Sequence, residues 1–537
     1  MQPVLNVEDV RRVEEALTDV GVSISELMHR AGISAAREVL GLPKVENVAV
    51  LCGLGNNGGD GWVCAEHLRG KGVNVTCVSP LAPDDIRGDL ARVVASSAER
   101  SGVPVMVAPP RDQLEELLSG SDVIVDAMLG TGFHGLPRAP FDIWIDCVNE
   151  SGARVVAIDV PSGLSAQTGL AQGACVAADL TITMLVLKPG LLADRGRDVC
   201  GTIVVAPLAE QTERLVVEAD PVAWRADLED YAGMLAPLSY ADDKFTRGSV
   251  LVVGGSQRFV GAPVMAALAA ARAGAGYVTL AVPAPIAPIV QSQLLEIPVL
   301  ALPASDSGTF SSEAADKVAE LARKRSCTLV GPGMRVNAGT VAVVSRLLTT
   351  EVPLVVDADG LNCISRLTSN ALDDFPELIR RQRPLVLTPH RGELGRLVGL
   401  QDTPPASLTA AMEAARRIVW SDGGSEICVV AKGSATACVS TEVAVLPKPG
   451  PASLATAGSG DVLGGVLAAL LSRGEVENAD LPVLSALACE IHGYAGQLAV
   501  ERRGSRGVMA LDIIDSLGLA QDALEEDIAF PEGDPKE

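Results

Sequence analysis

The sequence predicts two α/β domains in succession, each a mainly parallel sheet covered by helices, and three observations predict it. Short Val-, Ile- and Leu-rich runs alternate with charged segments of helix length, the pattern of right-handed βαβ units. Those runs are apolar at successive positions, as strands buried on both faces must be. The 537 residues also exceed what one ordinary hydrophobic core holds. Aromatic residues are only 3% of the chain, so the cores must be built from Ala, Val, Leu and Ile.

Taken in order, the elements begin with a helix. Asn6 and Asp9 are placed to cap it, and Val10, Val13 and Leu17 fall on one face. Strands follow at Asn47–Cys52, Val73–Val78, Asp122–Val125, Arg154–Ile158 and Leu180–Met184, with Gly201–Val205 closing the set. From about Pro207 to Arg247 the rhythm lapses into an acidic stretch containing Pro221 and Pro237. The domain boundary is expected there, near residue 215, giving domains 1–215 and 216–524. Alternation then resumes with strands at Ser249–Val253, Tyr277–Val282, Thr328–Val330, Pro353–Val356, Leu385–Leu387 and Ile427–Val430. Residues 525–537, acidic and carrying Pro531, Gly533 and Pro535, are expected to form a frayed tail.

Charge and cysteines narrow the function. A net charge of −24 repels a polyanion, so nucleic acid is not an expected partner. A phosphate-bearing ligand must instead meet backbone N–H groups, single Lys or Arg side chains, or a metal ion. The eleven cysteines contain no Cys-x-x-Cys pair, and Cys52, Cys64 and Cys428 lie in apolar or Gly-rich surroundings of core type. No signal peptide is visible, and the longest uncharged stretch, Ala273–Leu295, is broken by glycines and prolines. The expectation is a cytoplasmic chain with no membrane partner; a homo-oligomer is left open.

Chemistry-bearing loops follow the strands. After the first comes Gly53-Leu-Gly55-Asn-Asn-Gly58-Gly59-Asp60-Gly61, in which Gly53, Gly55 and Gly58 satisfy G-x-G-x-x-G at a strand-to-helix turn. The second strand ends at Val78-Ser79-Pro80, without the acid that grips a ribose in an NAD-linked dehydrogenase. Asn56, Asn57 and Asp60 instead crowd side-chain oxygens into the turn. Asp126 leads into Gly130-Thr131-Gly132, and Asp159-Val-Pro-Ser162-Gly163 follows the next strand. Each Asp alone is best read as a cap, but three such loops on one sheet edge point to a ligand site.

These segments, with Thr181-Ile-Thr183 and Lys188-Pro-Gly190, resemble the NAD(P)H-hydrate epimerase domain across about residues 5–210, a Rossmann-like three-layer α/β/α fold. The resemblance implies a potassium ion held by Asn57, Asp126 and Ser162. It implies a dinucleotide along Asn56, Asn57, Gly58, Gly59 and Asp60 and along Gly130, Thr131, Gly132, Phe133, His134, Gly135 and Leu136, with Asp159 at the reactive carbon. His29 stands where relatives usually carry an acid.

The second half contains Ala457-Gly458-Ser459-Gly460-Asp461 at the start of an apolar helical run. Glycines opening a helix aim N–H groups at an anion, and an Asp there can deprotonate a hydroxyl during phosphoryl transfer. An isolated G-x-G-D would more often be a cap. This one, late in an α/β domain of kinase size, resembles the ribokinase-like kinases. Gly254–Ser256, Gly261–Pro263, Gly331–Gly333, Asp357–Gly360, Thr388–Glu393 and Lys432–Thr436 narrow the resemblance to their NAD(P)H-hydrate dehydratase branch over about residues 225–515.

That resemblance implies adenine nucleotide (ADP, or ATP) at Lys432, Gly433, Ser434, Ala435, Thr436 and Gly460. It places the hydrated dinucleotide at Ala262, Gly333, His390 and Asp461, with Asp461 as base and magnesium beside Glu393. The expected activity is repair of hydrated NADH and NADPH. Three other readings are a ribokinase-like small-molecule kinase with an accessory dinucleotide-binding domain, an interaction scaffold, and a dehydrogenase. The first would accumulate a phosphorylated product, the second has no need of Asp126, Asp159 and Ser162, and the third lacks its acid.

Overall fold

A computed structural model describes residues 1–235, 238–368, 383–400, 403–420, 426–473 and 480–529. The chain divides into two compact units on either side of Ala223 and Trp224. In the first, seven strands β1 (Asn47–Cys52), β2 (Asn74–Ser79), β3 (Val105–Val107), β4 (Val123–Ala127), β5 (Arg154–Ile158), β6 (Leu180–Met184) and β7 (Thr202–Ala206) form a parallel sheet. Their order is β3-β2-β1-β4-β5-β6-β7. The order reverses between β1 and β4, the switch point outside which open α/β sheets bind ligands.

Pleating explains the three layers. Val48, Val50 and Cys52 of β1 enter one core, while Ala49 and Leu51 enter the core on the opposite face. Helices cover both faces. Helix α1 (Val7–Asp19) buries Val7, Val10, Val13 and Leu17, and α2 (Ile24–Gly41) and α3 (Asn56–Gly70) follow. Asn6 stands at the α1 N-terminus, but its side chain does not cap the helix backbone. Gln167 does this work, accepting the Val7 N–H at 2.9 Å while its own amide donates to Asn6 Oδ1 at 2.8 Å.

The second unit repeats the logic with β8 (Ser249–Val253), β9 (Tyr277–Pro283), β10 (Val299–Leu302), β11 (Cys327–Val330), β12 (Leu354–Val356), β13 (Leu385–Leu387), β14 (Ile427–Ala431), β15 (Ala437–Val439) and β16 (Ala444–Leu446). These lie in the order β10-β9-β8-β11-β12-β13-β14-β15-β16, parallel up to β14 and antiparallel beyond it. Helices α4 (Gly261–Arg272), α5 (Arg391–Leu397), α6 (Ser459–Leu471), α7 (Leu481–Arg503) and α8 (Ala510–Ala529) carry or support its loops. Residues 525–529, expected to fray, continue α8; residues 530–537, and Pro237, lie outside the described residues. All eleven cysteines are free and buried. Among the described residues no helix is long and apolar enough to cross a membrane.

Helix α3 starts where it does because glycine lets two backbones meet. A Cβ on Gly53 would lie 1.9 Å from Met128 O, and one on Gly58 would lie 2.0 Å from Gly53 O. Gly53→Ala therefore forces the β1 and β4 loops apart, an overpacking cost of about 1–3 kcal/mol. The expected result is a lower urea midpoint for the first unit's transition. An unchanged midpoint would show that the loops relax freely.

Candidate functional site

In the first unit a cleft of about 880 Å³ opens at the carboxyl ends of β1, β4 and β5. Asn56, Asn57 and Asp60 of α3 line it, as do Gly130, Thr131, Gly132, Phe133 and His134 after β4, and Asp159 after β5. Gly58, Gly59, Gly135 and Leu136 do not. Gly58 and Gly59 serve packing, a Cβ on the latter falling 2.6 Å from the Met28 side chain. Leu136 is 59% exposed. His29 is exposed too and is not part of the cleft wall, which its neighbour Met28 supplies.

Asp159 is buried, and its backbone has φ +67°, a region that costs a non-glycine residue about 1 kcal/mol or more. Its Oδ1 is 2.7 Å from Lys188 Nζ, and its Oδ2 accepts the Thr131 N–H at 3.2 Å. Burial alone would push this carboxyl up. The Lys188 charge and hydrogen bond, then the Thr131 and Met184 amides, outweigh burial and hold it below the usual carboxylate range. Asp60 goes the other way: burial, then the charges of Asp159 and Glu14, raise it well above that range.

Asp126 and Ser162 form a linked pair beside the cleft. Ser162 donates its hydroxyl to Asp126 Oδ1 at 2.6 Å and its N–H to Oδ2 at 2.7 Å. Burial pushes the Asp126 carboxyl up to about 6 against those bonds. Asn57 Oδ1 and Nδ2 are buried and have no hydrogen-bond partner, which is costly unless something fills the gap. A Cβ added to Gly130 would stand 3.1 Å from the Asn57 side chain and 3.3 Å from Asp159 Oδ2, so these three positions converge.

The second unit brings its loops to the carboxyl ends of β8 and β11 to β14. Ala262, at the start of α4, lies against Gly333: a Cβ on Gly333 would meet the Ala262 Cβ at 3.3 Å. Gly458 opens α6 in the left-handed conformation (φ +89°) that glycine tolerates. A Cβ there would strike Met265 of α4, so this turn and α4 are neighbours. Lys432 is the hub. Its Nζ donates to Asp357 Oδ1 at 2.7 Å, which also accepts the Thr388 hydroxyl at 2.6 Å. The same Nζ would lie 3.4 Å from a Cβ on Gly460.

Asp461 sits in the first turn of α6. Burial and then the Asp357 charge push its carboxyl up to about 7, with Lys432 opposing. His390 and Glu393 form a reciprocal cap on α5. His390 Nδ1 accepts the Gly392 N–H at 3.0 Å, and Glu393 Oε2 accepts the His390 N–H at 2.9 Å. The other Glu393 oxygen faces His390 Nε2 at 3.3 Å, so each oxygen has a contact to His390. Gly433, Ser434, Ala435 and Thr436 form the loop between β14 and β15. Asp357 and Lys188 carry contacts to which the sequence reading gave no role. Ser459 Oγ lies 3.1 Å from His492 Nε2, another buried pairing that sequence spacing does not announce.

Each unit thus holds a buried carboxylate at glycine-rich strand ends, the arrangement of an α/β protein with a candidate ligand site in each unit. Comparison with known proteins agrees. Residues 24–190 match the family model described as YjeF-related protein N-terminus, and residues 250–518 match that of NAD(P)H-hydrate dehydratase. The chain is 34% identical over 516 residues to the bifunctional NAD(P)H-hydrate repair enzyme Nnr of Moorella thermoacetica, covering 94% of this chain and 93% of that one. It is 34% identical over 545 residues to the protein of the same name from Thermofilum pendens, covering 98% and 97%. The chain belongs to the bifunctional NAD(P)H-hydrate repair enzymes, an epimerase domain followed by a dehydratase domain. Among solved structures, the ADP/ATP-dependent NAD(P)H-hydrate dehydratase of Bacillus subtilis, co-crystallised with ATP and Mg²⁺, is 24% identical. It matches with a TM-score of 0.44, over 54% of this chain and 95% of that one.

Proposed function

We propose that the first unit interconverts the R and S hydrates of NADH and NADPH, and that the second dehydrates the S form at the expense of ADP or ATP. What carries the reading is a buried carboxylate at the glycine-rich strand ends of each unit, Asp159 in the first and Asp461 in the second, the two held in opposite states. Asp159 is kept ionised by Lys188, whereas Asp461 is buried with its proton affinity raised toward neutrality.

In the epimerase pocket the hydrate bears a hydroxyl on C6, beside the ring nitrogen. Lone-pair push from that nitrogen expels the oxygen as hydroxide and leaves an iminium carbon at C6. Water adds to either face, its proton passing to Asp159 and from there to the expelled hydroxide, which departs as water. Potassium fits the neighbouring residues: Asn57, Asp126 and Ser162 offer hard oxygen donors, and the unpartnered Asn57 side chain lacks a contact that a cation would supply. When bound it would hold the pyrophosphate and balance the buried acids. Gly130→Ala fills the space between Asn57 and Asp159 Oδ2. Epimerisation is expected to fall about 10-fold or more through that displacement, read from the initial rate of R-to-S conversion. A wild-type rate would place the reacting carbon elsewhere.

At the dehydratase site Asp461 takes the proton of the C6 hydroxyl as its oxygen attacks the terminal phosphoryl group of the nucleotide, whose bond to the bridging oxygen breaks to release AMP from ADP, or ADP from ATP. The α6 amides at Gly458–Gly460 and the Lys432 ammonium stabilise the charge on that group. The phosphate then leaves from C6 with its electron pair, a proton is lost from C5, and the C5–C6 double bond returns. Lys432–Thr436 and Gly460 receive the nucleotide, and Ala262, Gly333 and His390 the dinucleotide. Glu393 Oε2 caps α5 and its Oε1 faces His390 Nε2 at 3.3 Å.

The chemistry fixes a pH dependence. Asp461 acts as base only when ionised, and its carboxyl is pushed up to about 7. Dehydration kcat/KM is therefore expected to rise with pH and level off above that value, falling with each step below it. A profile flat between about pH 5.5 and 8.5 would remove Asp461 as the base. The whole reading is tested by supplying mixed R and S hydrates with ADP, then ATP, and following reduced nicotinamide to completion. Recovery of both diastereomers, with the R form consumed faster than its spontaneous interconversion allows, supports both activities. Accumulation of a stable phosphorylated product would instead favour a kinase.

A further inference from the structure

Lys188 is fully buried in the floor of the first cleft, and the reaction as derived above gives it no contact with substrate. It arrives from the residue preceding the short helix Pro189–Leu192. Its Nζ donates to Asp159 Oδ1 at 2.7 Å, to Thr183 Oγ1 at 2.8 Å and to Met184 O at 2.7 Å. An ammonium has three N–H bonds. All three are used inside the protein, so none remains for a ligand.

The consequence falls on Asp159. One of its oxygens is tied to a fixed cation, while the other faces Gly130 and receives the Thr131 amide. We infer that Lys188 is a positioning residue of the epimerase site, locking Oδ1 of Asp159 so that Oδ2 alone is presented to the hydrated ring. The inference rests on the reading of Asp159 as proton acceptor. It accounts for two otherwise costly features, a lysine at zero exposure and an aspartate with left-handed backbone, because each holds the other in place.

The charged groups facing Asp159 are Lys188, Asp60 from α3 and Glu14 from α1. The two acids are themselves raised by the Asp159 charge, and Lys188 is the cation that holds Asp159 ionised against its burial. Lys188→Met therefore leaves Asp159 among acids. Its epimerisation rate is expected to drop about 10-fold or more near pH 7, with the acid limb of the rate–pH profile moved to higher pH and rate returning in alkaline buffer. Lys188→Arg keeps the charge and should keep the limb, at a reduced rate because a planar guanidinium cannot reach the same three acceptors.

Thr183→Val removes one acceptor without changing charge. It is the milder variant, expected to lose about 2- to 5-fold, because Asp159 and Met184 still hold the Lys188 ammonium. All variants are made in the full-length chain, and the urea midpoint of the first unit's transition, compared with the wild type, reports its folding. A wild-type rate and limb in Lys188→Met overturns the inference. So does a loss that is equal at every pH while Thr183→Val stays at the wild-type rate. Asp159→Asn separates the two levels. If it epimerises normally, the reading of Asp159 fails; if it is inactive while Lys188→Met is normal, only the role of Lys188 fails.

Discussion

Asp461→Asn is expected to lower NAD(P)H formation from the S hydrate by about 10²- to 10⁴-fold, the range that one positioned general base contributes. The substitution keeps the shape of the α6 turn, the Gly458 conformation and the Lys432–Asp357 contact, so nucleotide binding should survive. It removes the one group of that turn able to take a proton. The environment makes this loss large: burial and Asp357 place the carboxyl near 7, where it binds a hydroxyl proton strongly yet is still substantially ionised in neutral solution. The measurement is a pair of rates on one preparation, dehydration of pure S hydrate and conversion of R to S. Dehydration should collapse while epimerisation stays within about twofold, the two sites having no residue in common. A retained dehydration rate would transfer the proton to another acceptor and undo the phosphorylation scheme.

The strands from Asn47–Cys52 to Ile427–Ala431 were legible because parallel strands buried on both faces leave unbroken Val-rich runs. Those that escaped are short or marginal. Val105–Val107 is an edge strand between prolines and is partly exposed. Ala437–Val439 and Ala444–Leu446 are three residues each, joined by a polar turn, and offer no period to read. Val299–Leu302 lies at the opposite edge, likewise half-exposed.

Glycine loops announce themselves in one dimension, so Asn56–Gly61, Gly130–Gly132 and Gly458–Asp461 were found. Their partners lie far along the chain. Lys188 meets Asp159 across 29 residues and Lys432 meets Asp357 across 75, separations that spacing rules do not reach. One signal was present for the first. Leu180–Ala193 is apolar apart from its threonines and a single charge, Lys188, and a lone charge in a buried run needs a partner. The same argument applies to Glu490 and His492 within α7. Glu490 accepts the Lys448 N–H at 2.6 Å, so this apolar helix anchors the segment leading to the Gly458 turn. Gly58, Gly59 and Glu393, which the resemblance assigns to ligands, also take part in helix–sheet contact and helix capping, and motif membership alone does not reveal that second role.

Asp159→Asn carries the other large effect, because here the carboxylate is prepared at considerable cost. The protein buries a lysine, strains a backbone and spends the Thr131 amide, all to present one ionised oxygen. An amide at this position keeps the volume and can still meet Lys188 through its carbonyl, but it accepts protons far less readily. Epimerisation is expected to fall about 10²- to 10⁴-fold. Binding of NADPH, followed by calorimetry as a probe of the cleft, should change little, since the loops at Asn56–Asp60 and Gly130–His134 remain. The physiological consequence is read at the endpoint. With ADP supplied, this variant should regenerate reduced nicotinamide from the S hydrate at the wild-type rate and leave the R hydrate to its slow spontaneous interconversion. A variant that clears both diastereomers as fast as the wild type would mean that ring-nitrogen push alone suffices and that the Asp159–Lys188 pair serves the fold.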